Sequence, residues 1–368
     1  MKKIKAKDPI GQHIIFAPGP TMTPDWVWNA ITTSHLHHNM SSYRDLVVEL
    51  NQRMSALFGV KEGTMVFLSG SGSDMMERSL AGFVGTATRV SVINTGYFAD
   101  RWHTMAKKYS HAVTELLYER GTTYSLEELK KSFLSSPPDV VLMQATDTGT
   151  GIRNDPRPVA QLLRRVAPNS LFIVDAVLEA GISPIKMDHD GIDILVGSTQ
   201  KAFMLPPGLG FIIMKRRALN KLTLSQKSFV LDLADEVSFA QRAAMRYTPP
   251  VSHLAGLRAV LRHIEKKGEA QWYQECHDRA MKERAFFGTQ GFTLFTKDAA
   301  SNGLSVLTMP EGKNAIALAA NLEKNHHLFI AAGLGKETDS VIRIAHFAGI
   351  QEKDWSKLHG AMKKIFRS

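Results

Sequence analysis

Short runs of apolar, often β-branched residues recur along the first two thirds of the chain. Each run is short and is flanked by polar or glycine-containing turns, a pattern typical of strands buried on both faces. The runs alternate with longer stretches whose apolar residues have helical spacing, which favours a doubly wound, mostly parallel sheet. The predicted strands lie at residues 64–68, 89–94, 139–145, 171–177 and 191–196.

Beyond about residue 260 the pattern changes to shorter strands between helices. We predict strands near 292–296, 304–308 and 340–346, with helices over 269–287, 314–324 and 355–365. The sequence therefore predicts two domains: an N-terminal arm with a large α/β domain over residues 1–260, and a small C-terminal α+β domain over residues 261–368. No repeat with a period of roughly 20–50 residues is present, which excludes a solenoid.

One lysine lies at a tight corner between two predicted strands. Lys201 follows the apolar run 191–196, and the loop after it contains Pro206, Pro207 and two glycines before a further apolar run at 211–214. Apolar neighbours disfavour the ammonium form and lower the pKa of a lysine. A neutral amine can attack an aldehyde and form a Schiff base. A single lysine in a loop is more often a surface residue, so this motif alone does not define a site.

A second signal lies upstream, at the end of the predicted strand 171–177. Asp175 is an acid at the carboxyl end of a parallel strand, the edge at which open α/β sheets bind ligands. Together with a desolvated lysine on a later strand, such an acid meets the two requirements of pyridoxal 5'-phosphate. The lysine holds the aldehyde of the cofactor, and the acid keeps the pyridine nitrogen protonated.

The segment Asp175-Ala176-Val177 followed by Ser198-Thr199-Gln200-Lys201 resembles the class V aminotransferases. The resemblance is to the alanine–glyoxylate and serine–pyruvate branch, and it extends from Gly19 to Arg343. It implies pyridoxal-phosphate fold type I with a mostly parallel seven-stranded sheet, and a homodimer with active sites at the subunit interface. It also implies ping-pong transfer of an amino group from alanine or serine to glyoxylate or pyruvate, with Lys201 as the Schiff-base lysine and Asp175 as the catalytic acid beside it.

A glycine- and serine-rich loop follows the strand at 64–68. Residues 69–73 precede a helix predicted from about Asp74, so backbone amides at the helix N-terminus can face an anion. A dinucleotide fold uses similar geometry, although Met75 stands where that fingerprint has its third glycine. The resemblance assigns Ser71, Gly72 and Ser73 to the cofactor phosphate.

The resemblance also assigns roles to residues in other loops. Phe98 matches an aromatic residue that stacks on the cofactor ring, and Thr148, Val177 and Gln200 are expected to contact the cofactor. Thr248 matches a Thr-Pro segment that crosses a dimer interface to the neighbour's cofactor phosphate. Structural explanations remain open: a core aromatic for Phe98, a connecting turn for Thr148 and a helix-capping turn for Thr248.

Two residues are assigned to the substrate. Gly19 lies in a turn-rich segment, 16–20, where the backbone can approach a ligand closely. Arg343 lies in an apolar strand, with Val341 and Ala345 on the same face, and an arginine there needs an anionic partner. That partner could be an internal Asp or Glu. The resemblance implies instead that Arg343 binds the substrate α-carboxylate through two hydrogen bonds.

Composition narrows the classes of partner. The net charge is +10, but Lys and Arg are scattered, so we expect no nucleic-acid binding and instead a field that attracts small anions. No apolar stretch reaches the roughly 18 residues that span a bilayer, and the basic residues 1–7 have no long apolar segment behind them, so we expect neither a membrane span nor a signal peptide. The single cysteine, Cys276, is compatible with a cytoplasmic enzyme.

Three neighbouring histidines, His35, His37 and His38, suggest a metal site at first sight. Imidazole is a good zinc ligand, but no Cys, Asp or Glu follows at a zinc-finger or zincin spacing. We therefore expect no metal and interpret these histidines as polar loop residues near the mouth of the active site.

Other activities on the same fold remain open. A 2-aminoethylphosphonate-type transaminase would need a further cationic site, and a phosphoserine-type transaminase is a related alternative. A lyase or hydrolase differs in which Cα bond stands perpendicular to the cofactor ring, which the sequence does not report. A cysteine desulfurase is disfavoured because Gln200 rather than histidine precedes Lys201 and because Cys276 lies in a helical pattern. A non-catalytic binding protein is disfavoured by the joint presence of Lys201, Asp175 and Arg343.

Overall fold

The computed structural model describes residues 13–222 and 228–366, so the basic residues 1–7 and most of the predicted arm lie outside the described residues. The strands are β1 (Ile14–Ile15), β2 (Gly63–Gly70), β3 (Val90–Asn94), β4 (Val113–Leu117), β5 (Val140–Gln144), β6 (Leu171–Asp175), β7 (Ile194–Ser198), β8 (Gly208–Lys215), β9 (Thr293–Leu294), β10 (Leu304–Thr308), β11 (Leu328–Phe329), β12 (Ala331–Ala332) and β13 (Val341–Ala345). The helices are α1 (Asp25–Thr32), α2 (Ser41–Phe58), α3 (Gly72–Phe83), α4 (Tyr97–Tyr109), α5 (Leu126–Ser135), α6 (Pro156–Val166), α7 (Met187–Asp190), α8 (Arg216–Leu219), α9 (Leu233–Ala240), α10 (Val251–Lys267), α11 (Glu269–Gly288), α12 (Ala315–His326) and α13 (Glu352–Phe366). Within these ranges, no helix is long and apolar enough to cross a membrane.

A seven-stranded sheet forms the centre of the large α/β unit. Its strand order is β2-β8-β7-β6-β5-β3-β4. Strands β7, β6, β5, β3 and β4 are parallel, whereas β8 runs antiparallel to both β2 and β7. The predicted mostly parallel, doubly wound sheet is therefore confirmed, and each of the five predicted apolar runs overlaps a strand of this sheet.

The two faces of the large sheet carry separate apolar cores because successive strand residues point to opposite sides. Residues of α2, α5, α6 and α10 cover one face, where Phe172 and Val174 are buried. Residues of α3, α4 and α9 cover the other face, where Leu171 and Ile173 are buried. Asp175 continues the second series, so its side chain leaves the end of β6 on the side of α3 and α4.

A smaller sheet of four antiparallel strands lies in the C-terminal part, in the order β12-β13-β10-β9. It packs with α11, α12 and α13 around a core that contains Phe287, Leu322, Ile344 and Trp355. The predicted domain boundary, between residues 260 and 261, falls inside α10. The division into two domains at that point stays a prediction.

Two helices begin at the carboxyl edge of the large sheet. Helix α3 begins at Gly72, earlier than the predicted start at about Asp74, and α4 begins at Tyr97. In α3 the side chains of Ser71 and Asp74 cap each other's backbone amides, and this capping box compensates for the poor helix propensity of glycine and serine in the first turn. Residues 71–73 of the glycine- and serine-rich loop and Phe98 therefore belong to helix N-termini, whereas residues 69 and 70 end β2.

Candidate active site

The candidate active site is a cavity of about 340 Å³ at the carboxyl edge of the large sheet. It lies where β6 and β7 end and where α3 and α4 begin. The predicted residues that line it are Ser71, Gly72, Ser73, Phe98, Thr148, Asp175, Val177, Gln200 and Lys201. The lining residues that the sequence analysis did not single out are Met76, Arg101, Thr146 and Leu178. The structure thus brings the predicted lysine, acid, anion loop and aromatic residue to one place.

Lys201 lies on the connection between β7 and β8, as predicted, and its side chain is partly buried. Its Nζ donates a hydrogen bond to the carbonyl oxygen of Pro18. Burial lowers the pKa of Lys201 to about 8; the positive charge of Arg343 acts in the same direction, and the carboxylate of Asp175 opposes them. A substantial fraction of the amine is therefore neutral and nucleophilic near physiological pH.

The lowered pKa predicts when the Lys201 amine reacts. In protein without cofactor, half of these amines should be neutral near pH 8, whereas an ordinary lysine needs a pH of about 10.4. Reductive methylation with formaldehyde, followed residue by residue by mass spectrometry, should label Lys201 half-maximally about two pH units below the lysine of a short unstructured peptide. A pH profile for Lys201 identical to that of the peptide would contradict a desolvated amine in the cavity.

Gly19 contacts the side chain of Lys201 and does not line the cavity itself. Its φ of +105° lies in the region that favours glycine, and a Cβ at this position would lie 2.5 Å from Cδ and 2.7 Å from Nζ of Lys201. The sequence predicted that the backbone around Gly19 can approach a ligand; in the structure this backbone lies close to the side chain of Lys201. A side chain here would strain the backbone and displace the amine.

Asp175 ends β6 and is only 5% exposed. Its Oδ1 accepts a hydrogen bond from the backbone amide of Val177 at 2.8 Å. Burial raises the pKa of Asp175 to about 7, although the hydrogen bond from Val177 lowers it. The nearby carboxylate of Asp147 raises the pKa further, and the positive charge of Lys201 lowers it. A cationic group placed against this carboxyl would stabilise its ionised form.

The first turn of α3 has backbone amides that can bind an anion. The amides of Gly72 and Ser73 lie in the first turn, where backbone N–H groups have no partner within the helix. A Cβ at Gly72 would lie 2.6 Å from Cγ2 of Val177 and 3.4 Å from Oγ of Ser198. Glycine is therefore required for the close packing of this turn against the strand ends.

Phe98 and Arg101 lie one helical turn apart on α4. The Arg101 guanidinium lies over the Phe98 ring, 4.7 Å from its centroid, and Nη1 donates to Oγ of Ser73 at 2.9 Å. The sequence analysis missed Arg101. Residues three apart on a helix lie on the same face. Since Phe98 was expected to face the cofactor, Arg101 could have been predicted to face it too if the start of α4 had been known.

Asp147 holds the Phe98 turn and the Thr148 loop together. Its fully buried carboxylate accepts hydrogen bonds from the amide of Phe98 at 2.7 Å and from the amides of Gly149 and Thr150 at 2.8 and 3.0 Å. Burial nevertheless raises the pKa of Asp147. A Cβ at Gly96 would lie 2.3 Å from the carboxyl carbon, so a glycine is required for this approach. Sequence reasoning missed Asp147 because its bond to Phe98 spans 49 residues.

Arg343 is partly buried in β13 and does not line the cavity. Its Nε donates to the carbonyl oxygen of Ala332 at 2.8 Å, and burial lowers its pKa to about 10 despite the charge of Asp147. Within residues 13–222 and 228–366 no carboxylate forms a salt bridge with Arg343, so the alternative of an internal ion pair has no support there. Its charge is nevertheless close enough to lower the pKa of Lys201.

Other residues from the sequence analysis lie away from the cavity. Thr248 is exposed, and it is not among the lining residues of its own chain. The rings of His37 and His38 stack at 4.3 Å, and the described part of the chain contains no group of three or more possible metal ligands. Cys276 is buried in α11, where burial raises the pKa of its thiol to about 12, so it is not a reactive thiol.

The side chains around the cavity fit pyridoxal phosphate. The buried Oε1 of Gln200 and Oγ of Ser198 have no hydrogen-bond partner among the described residues, and buried polar atoms normally have one. A phosphorylated pyridine carries polar groups for such atoms, an aldehyde for Lys201 and a ring nitrogen for Asp175. The geometry therefore defines a site for a phosphorylated aldehyde cofactor.

Known structures share this fold. An alanine–glyoxylate aminotransferase from Nostoc sp. has a TM-score of 0.90 at 24% identity, over 96% of this chain and 95% of that chain. This likeness establishes the architecture as fold type I of the pyridoxal-phosphate transferases.

The family model for aminotransferase class-V matches residues 23–338, and the chain belongs to this family. The L-aspartate–glyoxylate aminotransferase of Paracoccus denitrificans is 25% identical over 348 residues, 93% of this chain and 88% of the relative. The serine–glyoxylate aminotransferase of Methylorubrum extorquens is 25% identical over 354 residues, with the same coverage of 93% and 88%. The protein is a pyridoxal-phosphate-dependent transaminase with an amino acid and a 2-oxo acid as substrates. The resemblance drawn from the motifs is confirmed.

Proposed function

We propose that this transaminase moves the amino group of a small amino acid, alanine or serine, to a small 2-oxo acid, glyoxylate or pyruvate, by a ping-pong mechanism. The observation that carries the proposal is the convergence of Lys201 and Asp175 on one cavity. Burial brings their pKa values to about 8 and about 7. Proton transfer is most effective when the pKa of the transferring group lies near the working pH, and Lys201 meets that condition.

Ser71, Gly72 and Ser73 would hold the phosphate of the cofactor at the start of α3. Gly72 and Ser73 would supply backbone amides and the Ser73 hydroxyl, Ser71 would fix the turn through its hydrogen bonds with Asp74, and the helix N-terminus would favour the negative charge. Gln200 adds a side-chain amide from the loop that carries Lys201. The capping box at Ser71 supports this role because it fixes the first turn in place before the anion arrives.

Phe98, Val177 and Asp175 would hold the ring of the cofactor at the end of β6. Phe98 would stack on the ring, Val177 would pack beside it, and Thr148 would contact the cofactor or the substrate. The Asp175 carboxylate would accept a hydrogen bond from the protonated ring nitrogen and keep that proton in place. When bound, the cofactor supplies the electron sink for the electron pair left at the substrate Cα.

Lys201 has two roles. Its neutral amine would be the group that holds the cofactor covalently at the aldehyde and yields that place to the substrate amine. It then moves the proton at the substrate Cα as general base and acid. Arg343 holds the substrate α-carboxylate, and the segment around Gly19 limits where the substrate lies relative to Nζ of Lys201.

Arg343→Lys separates substrate binding from a structural role. Lysine keeps the charge but loses the planar two-pronged geometry. A lost bidentate contact to a charged group costs on the order of 1.5–3 kcal/mol, which lowers kcat/KM about ten- to over a hundredfold. The measurements are kcat/KM for alanine, the melting temperature and the Kd of the cofactor, and only the first should change strongly.

Arg284→Lys is the matched control for Arg343→Lys. Arg284 is also a partly buried arginine, but it hydrogen-bonds to Oγ of Ser305 and to backbone carbonyls, so its loss should lower the melting temperature and leave the rate per folded molecule unchanged. If Arg343→Lys behaves like this control, Arg343 is a structural residue and does not bind the substrate.

The choice of substrates rests on the family resemblance. The two named relatives share glyoxylate as the amino acceptor and differ in the donor, which supports glyoxylate more strongly than any donor. Aspartate therefore joins alanine and serine as a donor to be tested. The 2-aminoethylphosphonate- and phosphoserine-type transaminases and a lyase or hydrolase activity remain the alternatives.

We also propose a cytoplasmic homodimer in which Thr248 contacts the cofactor phosphate of the other subunit. Thr248 is exposed beside Tyr247 and Phe229, residues that are 36% and 74% exposed, so this surface has apolar area to bury against a second copy. The Arg246 guanidinium lies 4.4 Å from the Phe229 ring centroid and 5.2 Å from that of Tyr247.

Hybrid dimers test the shared site. Chains with Lys201→Ala are refolded together with chains that carry Thr248→Ala. If Thr248 serves the other subunit, the hybrid contains one site with both changes and one with neither, so activity at limiting cofactor should exceed the sum of the two parent proteins. Activity equal to that sum would mean that Thr248 serves its own chain or no site at all.

A half-reaction screen tests the proposed reaction. The purified cofactor-loaded protein is mixed with alanine, serine, aspartate, phosphoserine or 2-aminoethylphosphonate, each without an acceptor. A ping-pong transaminase releases one equivalent of the 2-oxo product per site and stops until glyoxylate or pyruvate is added. Continuous release of product with free ammonia would favour a lyase, and product from the phosphorylated or phosphonate donors alone would favour the alternative transaminases.

A further inference from the structure

Arg101 brings a second cationic side chain into the cavity. It lies on α4, is partly buried, and donates from Nη1 to Oγ of Ser73 at 2.9 Å. Ser73 lies in the first turn of α3, so the guanidinium lies beside the amides that face the anion. The face of Phe98, 4.7 Å from the guanidinium carbon, supports the side chain from the other side.

Without Arg101, the cavity would contain little positive charge to balance a phosphate. Among the lining residues within the described ranges, Lys201 and Arg101 are the ones with cationic groups. The pKa of Lys201 is lowered to about 8, and its amine is committed to the aldehyde end of the cofactor. Asp175 adds a negative charge. A phosphate dianion at the start of α3 therefore has the helix N-terminus and Arg101 as its sources of positive potential.

We propose that Arg101 binds the phosphate of the cofactor directly, with Ser73 holding the guanidinium in position. This inference rests on the proposed function, which places the phosphate at the start of α3. A guanidinium offers two parallel N–H donors that match phosphate oxygens. The hydrogen bond to Ser73 orients one nitrogen and leaves the second edge of the guanidinium for the anion.

A purely structural role for Arg101 makes a different prediction. In that case its contact with the Phe98 ring would fix the stacking surface, and its removal would weaken the binding of any pyridine aldehyde. A phosphate role concerns only ligands that carry the phosphate. Pyridoxal, which has the same ring and aldehyde but no phosphate, distinguishes the two.

The experiment measures the Kd of pyridoxal 5'-phosphate and of pyridoxal for the full chain stripped of cofactor, by quenching of tryptophan fluorescence. Arg101→Met removes the charge and keeps much of the packing against Phe98. Arg89→Met is the control, because Arg89 forms an exposed ion pair with Asp139 at the opposite end of β3 and carries the same charge. Arg101→Met should raise the Kd of pyridoxal 5'-phosphate about ten- to a hundredfold and that of pyridoxal less than about twofold.

The other outcomes contradict the proposal in distinguishable ways. Equal weakening of both ligands by Arg101→Met would mean that Arg101 supports Phe98 and does not bind the phosphate. An unchanged Kd for both, or equal effects of Arg101→Met and Arg89→Met, would remove Arg101 from the phosphate site. If the unchanged protein binds the two ligands equally well, the phosphate site at α3 fails, and the assignment of Ser71, Gly72 and Ser73 fails with it.

Discussion

Lys201→Ala is expected to abolish measurable transamination while the chain stays folded. The loss of general acid–base catalysis alone lowers a rate about 10²–10⁴-fold, and the variant also loses the covalent attachment of the cofactor. Removal of the amine takes a desolvated charge out of the cavity and leaves the hydrogen-bonded ends of β7 and β8 untouched. The measurements are the single-turnover rate with alanine and the melting temperature.

Lys107→Ala is the control for this change, because Lys107 is an exposed lysine of α4 and should retain full activity. Near-wild-type turnover by Lys201→Ala would refute the assignment of the cofactor lysine. A drop in melting temperature that matches the loss of activity would refute the view that Lys201 acts in the chemistry alone.

Asp175→Asn is expected to retain part of the cofactor binding and to lose most of the activity. The amide oxygen of asparagine can keep the hydrogen bond from Val177, but a neutral amide does not hold the proton on the ring nitrogen. The loss of a charge-assisted hydrogen bond, on the order of 1.5–3 kcal/mol, lowers kcat about ten- to over a hundredfold. Asp139→Asn, an exposed acid at the amino end of the sheet, is the matched control and should be active. An unchanged kcat in Asp175→Asn would place the acid elsewhere.

Asp175→Asn should also change how the stability of the protein depends on pH. The pKa of Asp175 is about 7 in the folded protein without cofactor, against 3.8 for the ordinary carboxyl. Between those pH values the folded state binds more protons than the unfolded state, so this carboxyl makes stability fall as pH rises. Asp175→Asn removes that contribution. The melting temperature of the cofactor-free unchanged protein, measured relative to that of the variant, should therefore fall as the pH rises from about 4 to 7.

The large sheet could be predicted from the sequence because its strands are buried on both faces. Residues 140–143 and 171–174 are apolar without interruption, and this pattern is sufficient to locate β5 and β6. The direction of β8 could not be predicted, since an apolar run looks the same in either orientation. Its antiparallel pairing with β2 and β7 depends on the loop that carries Lys201.

Site residues that follow an apolar strand could be predicted from the sequence. Site residues whose partners lie far away in the sequence could not. Lys201 and Asp175 follow apolar runs, so their place at the carboxyl edge was evident. The start of α3 was missed although Ser71 and Asp74 have capping-box spacing, because glycine and serine favour a loop. Asp147 depends on a contact 49 residues away, which no local pattern reports, and the place of Arg101 depended on knowing where α4 begins.

The most direct test of the account is the location of the covalently held cofactor. The purified protein is loaded with pyridoxal 5'-phosphate, reduced with borohydride, digested and mapped by mass spectrometry. The account predicts one modified residue, Lys201, at close to one cofactor per chain, and no modification in Lys201→Ala. Stoichiometric modification of a different lysine, or none at all in the unchanged protein, would contradict the assignment of Lys201 as the lysine that holds the cofactor.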